Sequence, residues 1–157
     1  MNPDITPFEK LLVTLARNEV AFLTVGGVAC SLNGFVRTTE DVDLLVDNKP
    51  DNIARLLQTL AHFGQGFARD LSPADFTDEE GSIRVIEDFP IDLFVRMGGR
   101  HYGDLLLYRR WFDVEGVPIP YLGAEGLILL KQDSVREKDR IDVVALRERL
   151  GPSGTKP

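Results

Sequence analysis

Cysteine is almost missing from this chain: Cys30 is the only one in 157 residues. No internal disulfide can form, and no Cys-x-x-Cys or His/Cys spacing suggests a zinc or redox centre. Cys30 itself reads as a small buried residue. Histidine is nearly as scarce, with His62 and His101 alone. Neither has a sequence neighbour that would orient it as a base, and both read as ordinary surface or half-buried side chains. Long apolar runs are lacking as well. None approaches the roughly 20 residues of a membrane span, and Met1 to Thr6 is polar where a signal peptide would carry an apolar core. The expectation is a cytoplasmic protein with no membrane partner. Positive charge is in deficit, 18 Lys plus Arg against 25 Asp plus Glu, for a net charge of −7 and a pI of about 4.8. That argues against non-specific duplex DNA binding, which depends on neutralising phosphates. Residues 96–110 and 131–149 nevertheless gather basic side chains, which leaves room for a local anion site.

What is present is enough to build a core. Hydrophobic residues make up 43% of the chain, and its length suits one domain over residues 1–150, followed by a polar tail, GPSGTKP, that reads as disordered over 151–157. Thr6-Pro7-Phe8-Glu9 carries a capping box with proline in the first turn, and Phe8, Leu11, Leu12 and Leu15 recur at helical spacing, predicting a helix to about Asn18. Val20 to Val25 reads as a buried strand running into Gly26-Gly27. One or two helical turns follow over Val28 to Leu32, closed by Asn33-Gly34. Asp41 to Val46 is a second strand. After a turn at Asp47 to Pro50, Ile53, Leu56, Leu57, Leu60 and Phe63 form the stripe of a further helix, stopped by Gly64.

Residues 65–82, rich in Asp, Ser, Gly and Pro, read as a mobile loop. Ile83 to Ile86 and Ile91 to Val95 read as strands around a turn at Asp88-Phe89-Pro90. Tyr102 to Arg110 reads as helical, and WFDVEGVPIPYL as a hairpin turning at Glu115-Gly116, with Trp111 in its core. Residues 124–150 read as a helical C-terminal piece, with a break at Ser134, where Ser134-Val-Arg-Glu137 has the form of a capping box. Strands alternating with helices predict an α/β or α+β sheet domain.

Two carboxylates interrupt the strand DVDLLV. Side chains of a strand alternate faces, so Asp41 and Asp43 point one way and Val42 and Leu44 the other. About 7 Å apart at Cα, the two acids can converge on one cation. Without a counterion they would raise each other's pKa, and a hard divalent ion such as Mg²⁺ or Mn²⁺, which takes carboxylate oxygens and leaves positions for phosphate, resolves that conflict. Asp92, in PIDLFV, is again one acid in an apolar strand. Three such acids on adjacent strands would form a metal site. Gly26-Gly27 supplies a complement, because a strand-to-helix turn without side chains lets backbone N–H groups approach an anion.

This ordered set, Gly26, Gly27, then Asp41 and Asp43 with the first acid 14 residues beyond Gly27, then Asp92, resembles the signature of polymerase-beta-like minimal nucleotidyltransferases. The segment LILLKQDSVREKDRIDVVAL is similar to the Lys…Arg-x-Lys-Asp-x-x-Asp element of bacterial abortive-infection (AbiEii-like) toxin nucleotidyltransferases. The resemblance covers about Val20 to Leu146. It implies a mixed sheet flanked by helices, with Asp41 and Asp43 as metal ligands and Asp92 completing the site and orienting the attacking hydroxyl. It also implies β- and γ-phosphates held by Gly26 and Gly27 with help from Lys131. Many members have serine after the first glycine; this chain has Gly27, so a hydroxyl contact to phosphate is missing unless Ser31 supplies it.

Several basic and aromatic residues keep two readings, and for Tyr108, Arg109 and Arg110 an acceptor groove is the lesser one beside an ordinary structural or surface role. On an unbroken helix Lys131, Lys138 and Asp142 share one face, with Lys138 and Asp142 an i, i+4 pair; alternatively Arg136, Asp139 and Asp142 tie the helix to the sheet. Arg37 reads as a structural ion-pair partner, and Tyr108, Arg109 and Arg110 as one wall of an acceptor groove. The function implied is metal-dependent transfer of NMP from an NTP to a hydroxyl of an RNA or protein acceptor, in a toxin-antitoxin setting with a cognate partner. The rivals are an antitoxin-type enzyme that modifies its partner toxin, and a non-catalytic module of the same fold that binds nucleotide or partner.

Overall fold

In the computed structural model, residues 5–36 and 38–151 are described. The chain opens with α1 (Pro7–Arg17), started by the expected capping box: Thr6 Oγ1 accepts from the Glu9 N–H and the Glu9 carboxylate accepts from the Thr6 N–H. Next come β1 (Phe22–Val25), α2 (Gly26–Leu32), β2 (Val42–Val46) and α3 (Pro50–Ala61). The strands β3 (Ser82–Ile86) and β4 (Pro90–Phe94) form a hairpin, followed by the short pair β5 (Arg96–Met97) and β6 (Arg100–His101). A 3-10 helix (Tyr102–Tyr108) leads into the hairpin β7 (Arg109–Val114) and β8 (Val117–Leu122), and the chain closes with α4 (Ala124–Lys131) and α5 (Glu137–Leu150). No helix of the described residues is long and apolar enough to cross a membrane.

Six strands form one mixed sheet in the order β3-β4-β2-β1-β8-β7. β2 runs antiparallel to β1 and parallel to β4, while β8 runs parallel to β1. Because strand side chains alternate, consecutive residues serve opposite layers. Phe22, Val42, Leu44, Ile91 and Leu93 pack with α1 and α3 on one face. Leu23, Val25 and Leu45 pack with α2, α4 and α5 on the other. Asn52, buried at the start of α3, fixes the end of the sheet away from the glycines: its side chain accepts from the Ala21 N–H at 2.7 Å and donates to the carbonyls of Ala21 and Asp47.

Four sequence expectations are corrected. Residues 65–82 are not one open loop: 3-10 turns span Phe67–Asp70 and Pro73–Asp75, and Ala68 and Phe76 are buried against α3 and the sheet. The apolar residues inside that polar stretch decide the matter. The helix expected over Tyr102 to Arg110 is a 3-10 helix ending at Tyr108, with Arg109 and Arg110 already in β7. Trp111 is 52% exposed on the edge strand β7, with the Arg109 guanidinium 4.8 Å from its ring, so it is not hairpin core. The chain does break near Ser134, but without the capping box: Arg136 is the N-cap of α5, and the Ser134 hydroxyl accepts from the Arg136 N–H and donates to Asp139. Of the expected tail 151–157, residues 152–157 lie outside the described residues, as does Arg37.

Candidate functional site

Asp43 and Asp92 are register partners across the parallel pair β2–β4. Asp43 shares the parity of Leu45, and Asp92 that of Phe94, so both carboxylates stand on the face covered by α2, α4 and α5. Asp41 lies one residue before β2 and reaches the same spot. Each of the three acids offers an oxygen within 4.8 Å of the others. The first turn of α2 closes in beside them. Gly26 has φ of +65°, a conformation that disfavours any side chain. A Cβ there would also collide with the Asp43 carboxylate. Glycine is thus demanded twice, by backbone angle and by space, and the glycine turn and the acids form one continuous surface.

The electrostatics are strained. Burial, then the charges of Asp41 and Asp92, push the Asp43 carboxyl up to about 7, against a smaller lowering by Lys138. Burial works to raise Asp92, but Arg84, together with hydrogen bonding from Asp43 and Asp41, outweighs it and holds that carboxyl below the ordinary carboxylate range. Arg84 is a residue the sequence reading missed. From β3, where it is the register partner of Asp92, it donates from Nε and Nη2 to the two Asp92 oxygens, each at 2.9 Å, and from Nη2 to Asp41 at 3.3 Å. The signal was available in the hairpin: strands meeting around a turn centred on Asp88 bring positions 84 and 92 opposite each other.

Three carboxylate oxygens at such spacing are a hard, anionic donor set of the kind that suits Mg²⁺ or Mn²⁺, and the raised Asp43 shows how strongly the cluster favours added positive charge. Beside it opens a cleft of about 420 Å³. Gly26 and Asp43 line it, Phe94, Met97 and Leu127 give it an apolar wall, and Arg100, Lys131, Arg136 and Lys138 are its cations.

The structure sorts these cations. The Lys131 ammonium donates to Asp142 at 2.6 Å and to Asp139 at 3.4 Å, joining α4 to α5 across the break. Lys131 and Asp142 meet because the chain turns back between α4 and α5, not because they share the face of one unbroken helix. Lys138 is exposed, and its charge reaches Asp43. Ser31 lies more than a turn beyond the glycines on α2, roughly 6 Å along the helix axis from Gly27. Of the remaining candidates, Arg110 pairs with Glu125. His62 is exposed at the end of α3. His101 bonds Asp78 at 2.6 Å, and that contact raises the histidine and lowers the acid.

No protein-family model matches the chain, and no curated protein does. Among solved structures, a candidate nucleotidyltransferase from Thermotoga maritima superposes with a TM-score of 0.55 at 18% identity, over 91% of this chain and 92% of its own. An antigenic nucleotidyltransferase-like protein from Paracoccidioides brasiliensis gives 0.49 at 18% identity, over 88% and 74%. The first of these likenesses concerns the fold: a mixed sheet flanked by helices, as in a nucleotidyltransferase structure.

Proposed function

We propose that the chain is a metal-dependent nucleotidyltransferase, which moves NMP from an NTP to a hydroxyl of an RNA or protein acceptor and releases pyrophosphate. The observation that carries this reading is the convergence of Asp41, Asp43 and Asp92 beside the side-chain-free turn at Gly26. Asp41 and Asp43 would hold Mg²⁺ or Mn²⁺, with Asp92 as a further ligand on the acceptor side. Such an ion, when bound, neutralises the triphosphate and polarises the attacking and leaving oxygens.

This chain's own residues do the rest. Gly26 and Gly27 let the β- and γ-phosphates approach the backbone. The apolar wall of the cleft at Phe94 and Met97 offers a surface for the nucleoside. Lys138 takes the phosphate role that the resemblance gives to Lys131, because Lys131 is already held by Asp139 and Asp142. Asp92 orients the acceptor hydroxyl for in-line attack on the α-phosphorus. A toxin-antitoxin role, on either side of the pair, fits the resemblance of the C-terminal Lys…Arg-x-Lys-Asp-x-x-Asp segment.

The test is incubation of the purified protein with each α-labelled NTP, Mg²⁺ or Mn²⁺, and total RNA or lysate. Label should pass to an RNA or protein band with wild type and not with Asp43→Ala. No transfer from any NTP, together with NTP binding that survives Asp43→Ala, would favour the binding-module reading.

A further inference from the structure

Arg84 is bonded to the acids although its place in the sheet offers it solvent. It lies on the edge strand of the sheet, its side chain is 51% exposed, and it could point to solvent as edge-strand cations do. Instead its guanidinium turns inward and uses three hydrogen bonds on two of the three acids. Both oxygens of Asp92 are taken, and so is one of Asp41. A divalent ion needs those oxygens at about 2.1 Å, and a fixed positive charge beside them opposes its entry by Coulomb repulsion. Arg84 and the ion therefore compete for the same carboxylates. Asp92 is 6% exposed at its side chain, so in the absence of the ion it needs a cationic partner, and Arg84 supplies one.

We propose that Arg84 is a tethered counter-cation of the acidic site. It holds Asp92 and Asp41 in place and must swing out of the cluster before a divalent ion can be ligated, which sets a threshold for metal loading. The exposed edge position lets the side chain leave without disturbing β3 pairing. This proposal rests on the metal-site reading above but is separable from it: a site can bind metal without Arg84 opposing it.

Mn²⁺ binding, followed by electron paramagnetic resonance of the free ion, tests both. Arg84→Gln should bind Mn²⁺ about tenfold more tightly than wild type, the scale on which residues behind a metal's ligands alter affinity. Arg84→Lys, which keeps the charge but not the fork, should fall between the two. In both backgrounds Asp43→Ala should remove the binding. Equal or weaker binding by Arg84→Gln, with Asp43-dependent binding intact, overturns the role of Arg84. Binding that does not depend on Asp43 overturns the metal site itself.

Should Arg84→Gln fail to fold, the wild type still decides. Its Arg84 Nε–H signal in nitrogen-15 NMR, assigned by its loss in Arg84→Lys, should shift toward that of a solvent-exposed guanidinium as Mg²⁺ is added. A signal unmoved at saturating Mg²⁺ would show that the arginine never leaves.

Discussion

Asp43 concentrates the conflict in this molecule, since a half-buried carboxyl pushed up to about 7 holds a proton that the unfolded chain, with its value near 3.8, has already lost. Between those two values the native state binds more protons, so this residue's contribution makes stability fall as pH rises from about 4 to 7. Asp43→Asn should cancel the effect. Compared with wild type by urea denaturation in chelator, the variant should gain about 2 kcal/mol of relative stability between pH 5 and pH 8. A pH-independent difference would show that Asp43 is already ionised at pH 5. Asp92 carries the opposite sign, because Arg84 holds it low; its contribution is present above the ordinary carboxylate value and is lost as pH falls through its folded one. The same proton links Asp43 to metal. Mn²⁺ affinity should climb as pH rises toward 7 and level off above it, a profile that titration at fixed ionic strength can read.

The joint between α4 and α5 shows what one ion pair does when it links two elements. Lys131 and Asp142 have side chains 12% and 1% exposed, so their contact is shielded from solvent and losing one partner weakens the other's place. Asp139 completes the joint, held by Ser134 and Lys131. Lys131→Ala and Asp142→Ala should therefore each destabilise by about 2–4 kcal/mol. The double variant should cost less than the sum, because the contact the two residues share is lost once rather than twice. Urea midpoints of the four proteins measure this, and additive losses would mean that the two residues do not act as a pair. Lys138→Ala belongs to the same helix and should behave differently. Exposed and directed toward Asp43, it should leave the urea midpoint nearly unchanged and weaken NTP binding on the order of tenfold. Unaltered NTP affinity would remove it from the phosphate site.

At the scale of the whole chain, the cleft is closed on one side by the sheet and on the other by α4 and the start of α5, so any ligand that fills it bridges elements distant in sequence. Such a ligand stabilises the native state by mass action. Mg²⁺ with an accepted NTP at about one hundred times its Kd should add about 2.7 kcal/mol and raise the melting temperature by several degrees. Scanning calorimetry across the four NTPs would name the accepted base. Asp43→Ala should melt alike with and without Mg²⁺ and NTP; a shift retained in that variant would place the nucleotide away from the acids.

What the sequence determined by itself was local and periodic. The capping box at Thr6, the apolar stripes of α1 and α3, the glycine turn after β1, and the alternation that sets Asp41 and Asp43 opposite Val42 and Leu44 all follow from neighbours within a few residues. The tertiary structure decided the pairings. That β4 lies beside β2 in parallel, level at Asp43 and Asp92, depends on a crossover of more than forty residues whose path no local pattern fixes. Arg84 enters the site through the β3–β4 register, and Lys131 meets Asp142 only because the helix breaks between them and folds back. Side-chain period is imposed by backbone geometry one residue at a time, whereas strand order and ion-pair partners are chosen by the packing of the whole core. The acids, the turn and the C-terminal lysines were therefore legible in the sequence, whereas Arg84 and the ion pair that ties Lys131 to α5 were not.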